Sequence, residues 1–122
     1  MVELDKEMEK LITGFQQDEI DGHEIYSYLA EHLKDKDDQA VVAKIAEDEL
    51  RHYKTWKRYS GRELNANRFK VFWYKLLFHL FGYTFVIKLQ ENGEEKAQAG
   101  YAPVLERFPE LDAILKDEEE HE

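Results

Sequence analysis

The chain has 122 residues, a formal net charge of −10 and no cysteine. That length fits one domain spanning residues 1–122. A hydrophobic fraction of 43% excludes a disordered acidic tail, and the missing cysteine excludes disulfides, thiol catalysis and Cys-ligated zinc or iron–sulfur sites. Lys+Arg at 17 against Asp+Glu at 27 argues against nucleic acid as a partner and suits cations as ligands.

The opening MVELDKEMEKL is charged and lacks the apolar run of a signal peptide. The most apolar stretch, 69–89, carries Lys70, Lys75, His79 and Lys88 and reads poorly as a membrane span. A cytoplasmic location is therefore the expectation.

Periodicity predicts helices throughout. Met8, Ile12, Phe15, Glu19, Gly22, Tyr26, Leu29 and Leu33 alternate steps of four and three, an inward seam over about 4–33. KDKDD at 34–38 reads as a polar turn. A second seam runs Val42, Ile45, Glu49, His52, Trp56, Tyr59, and Ser60-Gly61 ends it with a C-terminal glycine. Asn65, Ala66 and Asn67 make a loop. A third seam runs Trp73, Leu77, Leu80, Thr84, Ile87, Glu91, Glu94, Gln98, Tyr101, Leu105, with Gly82 dividing a crossover helix from a core helix. Pro103 kinks or ends it, and Pro109 opens a last helix carrying Leu111, Ile114, Glu118 and His121. The expected fold is all-α: an antiparallel four-helix bundle with an aromatic-rich helical segment between its second and third helices.

Ionisable residues occupy the seams. Glu19, Glu49, His52, Glu91, Glu94, Glu118 and His121 all fall on inward positions. Burying a carboxylate is costly without compensation, and no lysine or arginine shares these seams. Two divalent cations would bring +4 and two trivalent ones +6, against −5 from the five glutamates. Carboxylates with one imidazole per metal suit iron or manganese better than zinc. Glu49-x-x-His52 and Glu118-x-x-His121 put both ligand types one turn apart on one helix face. Such pairs arise readily by chance in a glutamate-rich chain. Their order (Glu, Glu-x-x-His, Glu, Glu-x-x-His, one per helix) and their phase with the seams carry the signal. The alternative is a charged bundle without metal.

Other polar residues read as scaffold. Glu24, Glu31, Glu47, Glu95, Glu119 and Glu120 lie off the seams and are expected in solvent. His23 and His32 flank the first seam as rim residues, and His79 packs in the aromatic stretch. Tyr26 and Tyr101 each follow a seam glutamate by seven. They are either plain core tyrosines or hydroxyl donors to ligating carboxylates. Gln98 could serve similarly, and Trp56 is expected in the core.

Four segments, DEIDGHEIY at 18–26, EDELRH at 47–52, ENGE at 91–94 and EEEH at 118–121, resemble the ferritin-like superfamily and its rubrerythrin branch. Together with the aromatic stretch, the chain is most similar to the soluble N-terminal domain of membrane ferritins of the vacuolar iron transporter type. The resemblance covers about residue 10 to the end. It implies two bound irons, with Glu49 and Glu118 bridging, Glu19 and Glu91 terminal, and Glu94 exchanging with His52 as the iron changes redox state. It implies oxidation of Fe(II) by O₂ or H₂O₂, of a ferroxidase or peroxide-reducing kind, linked to iron homeostasis. It also implies continuation into, or association with, a membrane iron transporter, for which a non-catalytic iron-delivery role is the alternative. Rubrerythrins proper end in a Cys-ligated iron domain, and with no cysteine this chain lacks that electron relay. The aromatic stretch 69–86 is expected to form the interface of a homodimer.

Overall fold

A computed structural model describes residues 5–98 and 100–121, with the side chains of 98 and 118–121 set aside. Every regular element among the described residues is helical: α1 (Lys6–His32), α2 (Lys36–Ser60), α3 (Arg68–Phe81), α4 (Tyr83–Gln98), α5 (Ala102–Arg107) and α6 (Asp112–His121). A short 3-10 turn at Pro109–Leu111 precedes α6. None of these helices is long and apolar enough to cross a membrane.

The helix ends follow from local chemistry. Asp5 caps α1 by accepting from the Met8 amide at 2.8 Å, and Glu7 and Glu9 sit in the first turn, where the helix dipole favours anions. The α1–α2 turn is shorter than KDKDD suggests. Asp35 is already the cap of α2, accepting from the Asp38 amide, and Asp37 and Asp38 lie within its first turn. Gly61 closes α2 with φ 68°, a left-handed conformation that only glycine adopts cheaply. Pro103 lies in the first turn of α5, where its missing N–H costs nothing.

α1 and α2 fold back on each other. Gln16 meets Ser60 at one end, and His23 donates to the Ala46 carbonyl at 2.7 Å near the middle. Two apolar cores form along this pair. One gathers Ile12, Phe15, Trp56, Tyr101, Val104 and Phe108. The other gathers Ile25, Leu29, Val42, Ala46, Val71 and Val86. Burying side chains of this size contributes about 1.5–3 kcal/mol each.

Between the cores lies a polar layer. The order is the same on three segments: Ile12 and Phe15, then Glu19, then Ile25 on α1; Trp56, then His52 and Glu49, then Ala46 and Val42 on α2; Tyr101, then Glu94 and Gln90, then Val86 along α4 and its exit. Apolar cores flank that layer on both sides.

The third seam needs correction. Trp73, Leu80 and Thr84 are exposed, and Leu77, Ile87, Glu91 and Leu105 are only partly buried. α3 turns Val71, Tyr74, Leu77 and Phe78 inward instead. α4 buries Val86, Gln90 and Glu94. The physical reason is Gly82. At φ 90° and ψ 178° it breaks the helix, so the phase read across 73–80 does not carry into 84–98.

Candidate metal centre

Glu19 from α1 and Glu49 and His52 from α2 converge in the polar layer. All three are buried, and one ligand atom from each lies within 4.8 Å of the others, close enough to hold a metal ion. Glu94 of α4 is buried nearby and lines the same cavity as Glu19 and Glu49. That cavity measures about 90 Å³, room for a few water-sized ligands. Its mouth is flanked by the exposed Asp18 and by Lys70, which reaches Asp21 at 3.7 Å.

Glycine makes the approach possible. A Cβ on Gly22 would lie 3.1 Å from Glu49 Oε2 and 3.3 Å from Gln90 Nε2. With only hydrogen there, α1 lets both side chains come against its backbone. This is a cradle that one methyl group would fill.

The imidazole is oriented from behind. His52 Nε2 lies 2.8 Å from Asp117 Oδ2, and Nδ1 lies 3.4 Å from Glu19 Oε2. A carboxylate only accepts, so Nε2 carries the proton and donates to Asp117. In the neutral ring Nδ1 then presents a lone pair to the carboxylates. Metal-ligating histidines are held in this way. Arg51 closes the chain, bonding Asp117 at 2.6 Å and Asp48 at 3.1 Å. Burial works to raise the Asp117 carboxyl, but hydrogen bonds from His52 and Arg51 outweigh it and hold it below its ordinary value. The same hydrogen bond from Asp117 holds Arg51 above its ordinary range.

Two hydroxyls reach the layer. Tyr26 donates to Glu94 Oε1 at 3.1 Å. Tyr74 lines the cavity, and burial, then the charges of Asp18, Asp21 and Glu94, push its hydroxyl up, so it keeps its proton. Tyr101 also lines the cavity while packing edge-on against Phe15 at 4.5 Å and near Trp56 at 5.9 Å.

Glu19, Glu49, His52, Glu94, Tyr26 and Tyr101 thus all border one layer. Glu91 is partly exposed and belongs neither to the three-residue group nor to the cavity wall. The side chains of Glu118, His121 and Gln98 fall outside the described residues. His32 is exposed and stacks on Tyr28 at 4.0 Å. His79 is exposed too, but it packs as expected in the aromatic stretch, with its ring 5.1 Å from Phe78 and 5.9 Å from Tyr28 and its Nε2 2.5 Å from the Tyr28 hydroxyl.

Sequence reasoning passed over Asp117, Arg51 and Gln90. A signal for the first was present: each Glu-x-x-His is preceded by aspartate, giving Asp-Glu-x-x-His at 48–52 and at 117–121. Asp21, also buried, is a scaffold residue. It accepts from the Asn67 amide at 2.7 Å and from Gln17 at 2.9 Å, pinning the loop that leads into α3.

The chemistry of the donor set suits a hard or borderline cation. Three buried carboxylates share the layer with one imidazole, and no lysine or arginine is buried among the described residues. Carboxylates with imidazole fit iron or manganese. Compared with known proteins, the chain matches no family model, no curated protein and no solved structure.

Proposed function

We propose that the chain is a di-iron carboxylate protein of the ferritin-like, rubrerythrin type, an antiparallel four-helix bundle that binds two irons and oxidises Fe(II) with O₂ or H₂O₂. Its setting is iron homeostasis, and a membrane iron transporter is the partner the resemblance implies. The observation that supports this reading best is the convergence of Glu19, Glu49 and His52 in a buried layer flanked by apolar cores, with His52 Nδ1 turned toward the carboxylates. Bound cations would offset the negative charge of the three carboxylates buried there.

In this reading Glu19, Glu49, His52 and Glu94 would hold the irons, together with Glu91, Glu118 and His121, which the resemblance implies as further ligands. A bound pair of Fe(II) ions would supply two electrons, one from each, enough to reduce H₂O₂ with two protons to two waters. Asp117 keeps His52 in the ligating tautomer. Glu94 changes its contacts as the charge of the layer changes, giving up or regaining the Tyr26 hydroxyl. Tyr74 offers a proton donor at the cavity wall.

Metal analysis followed by anaerobic Fe(II) titration tests this. Two irons per chain are expected, then rapid growth of ferric absorbance on adding O₂ or H₂O₂, with both lost in Glu49→Ala. Two irons oxidised slowly and only once would make the chain an iron-delivery module. Absence of bound iron would overturn both readings.

A further inference from the structure

α3 carries a second seam, and it faces outward. Phe69, Trp73, Leu76 and Leu80 recur at steps of four, three and four along its outer side, with Phe72 beside them. Phe69 is 71% exposed, Phe72 60%, Trp73 44% and Leu80 64%, while Leu76 is partly exposed. Phe69 and Phe72 both contact the Trp73 ring, at centroid distances of 6.1 and 6.3 Å, so the stripe is continuous. Steps of four and three form the narrow stripe by which one helix packs along another. Only Val71 of α3 is fully buried, so this helix is thinly supported by its own chain.

The stripe is also its own mirror. Turned end for end about a point between Tyr74 and Lys75, position 69 falls on 80 and 73 falls on 76. A two-fold axis demands that kind of self-complementarity. We infer that two copies of this chain associate through an antiparallel pair of α3 helices, with Phe69 against the partner's Leu80 and Trp73 against the partner's Leu76.

Area and charge both favour a second copy. Phe81 and Phe85 extend the apolar surface at the end of α3, and their rings pack together at 5.0 Å. At about 200 Å² per large side chain, the exposed fractions of Phe69, Phe72, Trp73, Leu80, Phe81 and Phe85 leave on the order of 700 Å² per copy. Two such faces bury on the order of 1,400 Å², the size of a standard stable interface. From 64 to 90 the chain has no Asp or Glu, so no carboxylate interrupts the stripe. Both lysines of α3 are turned away from an anionic lipid surface, leaving only Arg68 of its Lys and Arg residues exposed, at its first turn. Lys70 turns to Asp21 at 3.7 Å, and Lys75 lies over the Tyr28 ring at 4.7 Å. A charge-depleted aromatic centre is the composition of a protein interface.

Sedimentation equilibrium of the chain tests this at about 100 μM, where interfaces of this size are closed. The expected mass is twice 14.6 kDa, falling to 14.6 kDa in Trp73→Glu and, separately, in Leu80→Glu, each with unchanged helical circular dichroism. Because the chain has no native cysteine, thiols report the register cleanly. A short bismaleimide is expected to join Phe69→Cys chains to Leu80→Cys chains, and neither to itself. A monomeric parent chain would overturn the proposal. So would a dimer that survives both glutamate substitutions, or cross-linking of Phe69→Cys to itself. A monomer that floats with phosphatidylglycerol vesicles would assign the stripe to lipid instead.

Discussion

Two regions of this molecule break the usual sorting of side chains, in opposite senses. The layer between the cores buries Glu19, Glu49 and Glu94, while the outer side of α3 leaves Phe69, Phe72, Trp73 and Leu80 in water. Each is costly in the isolated chain, and each becomes favourable once something from outside covers it. The two proposals follow this contrast: a buried layer of carboxylates and imidazole suits a cation, and an exposed apolar stripe suits another stripe. The layer borders a cavity of about 90 Å³, which suits small ligands, whereas the stripe is an open ridge.

The sharpest way to separate the two is to supply the cation. At a hundredfold excess over its dissociation constant, a metal bound only by the folded state adds about 2.7 kcal/mol. We expect Fe(II) or Mn(II) to raise the thermal midpoint by that equivalent, and to do nothing for Glu49→Gln. In chelator the sign reverses. Glu49→Gln removes a buried charge and should unfold later than the parent by about 1–3 kcal/mol. Calorimetry with and without metal reads both. A variant less stable than the parent in chelator would mean that the carboxylate is satisfied by the protein alone.

Asp117→Asn comes next. Loss of the acceptor behind His52 should weaken metal binding about 10- to 100-fold, read by competition with a chelating dye, with helicity intact. A pair of glycines then compares cradle with open space. Gly22→Ala drives a methyl against Glu49 Oε2 and should cost about 1–3 kcal/mol of stability or the equivalent in metal affinity. Gly93→Ala, with nothing within 4 Å of its Cβ position, should gain roughly 1 kcal/mol from helix propensity.

The two tryptophans give a smaller optical contrast. In Trp56→Phe only Trp73 emits, and its emission should shift to the red on dilution as the stripe is uncovered. In Trp73→Phe the buried Trp56 should show no dilution shift. The smallest effect lies far from both regions. Burial, then the 2.7 Å hydrogen bond to Glu110, pushes the Tyr59 hydroxyl up to about 12 from its ordinary 10. The folded chain holds that proton more tightly than the unfolded one. The contribution is therefore fully present below pH 10 and lost as the pH rises toward 12. Alkaline difference spectra should show a late-titrating tyrosine component, and Tyr59→Phe should diminish it.

How legible these regions were differs by helix. The α1 and α2 seams are uninterrupted by glycine breaks or proline, so counting by threes and fours placed Glu19, Glu49, His52 and Tyr26 on the inner face without knowledge of any contact. The α4 face was misread by one position because a phase was carried through Gly82. Glu94 sits where both phases overlap, and Glu91 where only the wrong one does. Asp117 differs again: the repeated Asp-Glu-x-x-His marks the residue, but its partner, His52, lies 65 residues earlier, and that motif does not report the pairing. Trp73 and Leu80 were read as core because a seam carries no label for inside or outside. The spacing is the same whether the partner helix belongs to the same chain or to another.

Gly82 has a consequence beyond its own dihedral angle. If α3 and α4 were one rod, every residue on it would be keyed to every other, and a change that suited the outer stripe would rotate Gln90 and Glu94 as well. A left-handed break with nothing within 4 Å of its Cβ position works as a clutch. It lets the segment that meets the outside be re-cut independently of the segment that carries the acids. One residue thereby divides the chain into two faces that selection can tune separately.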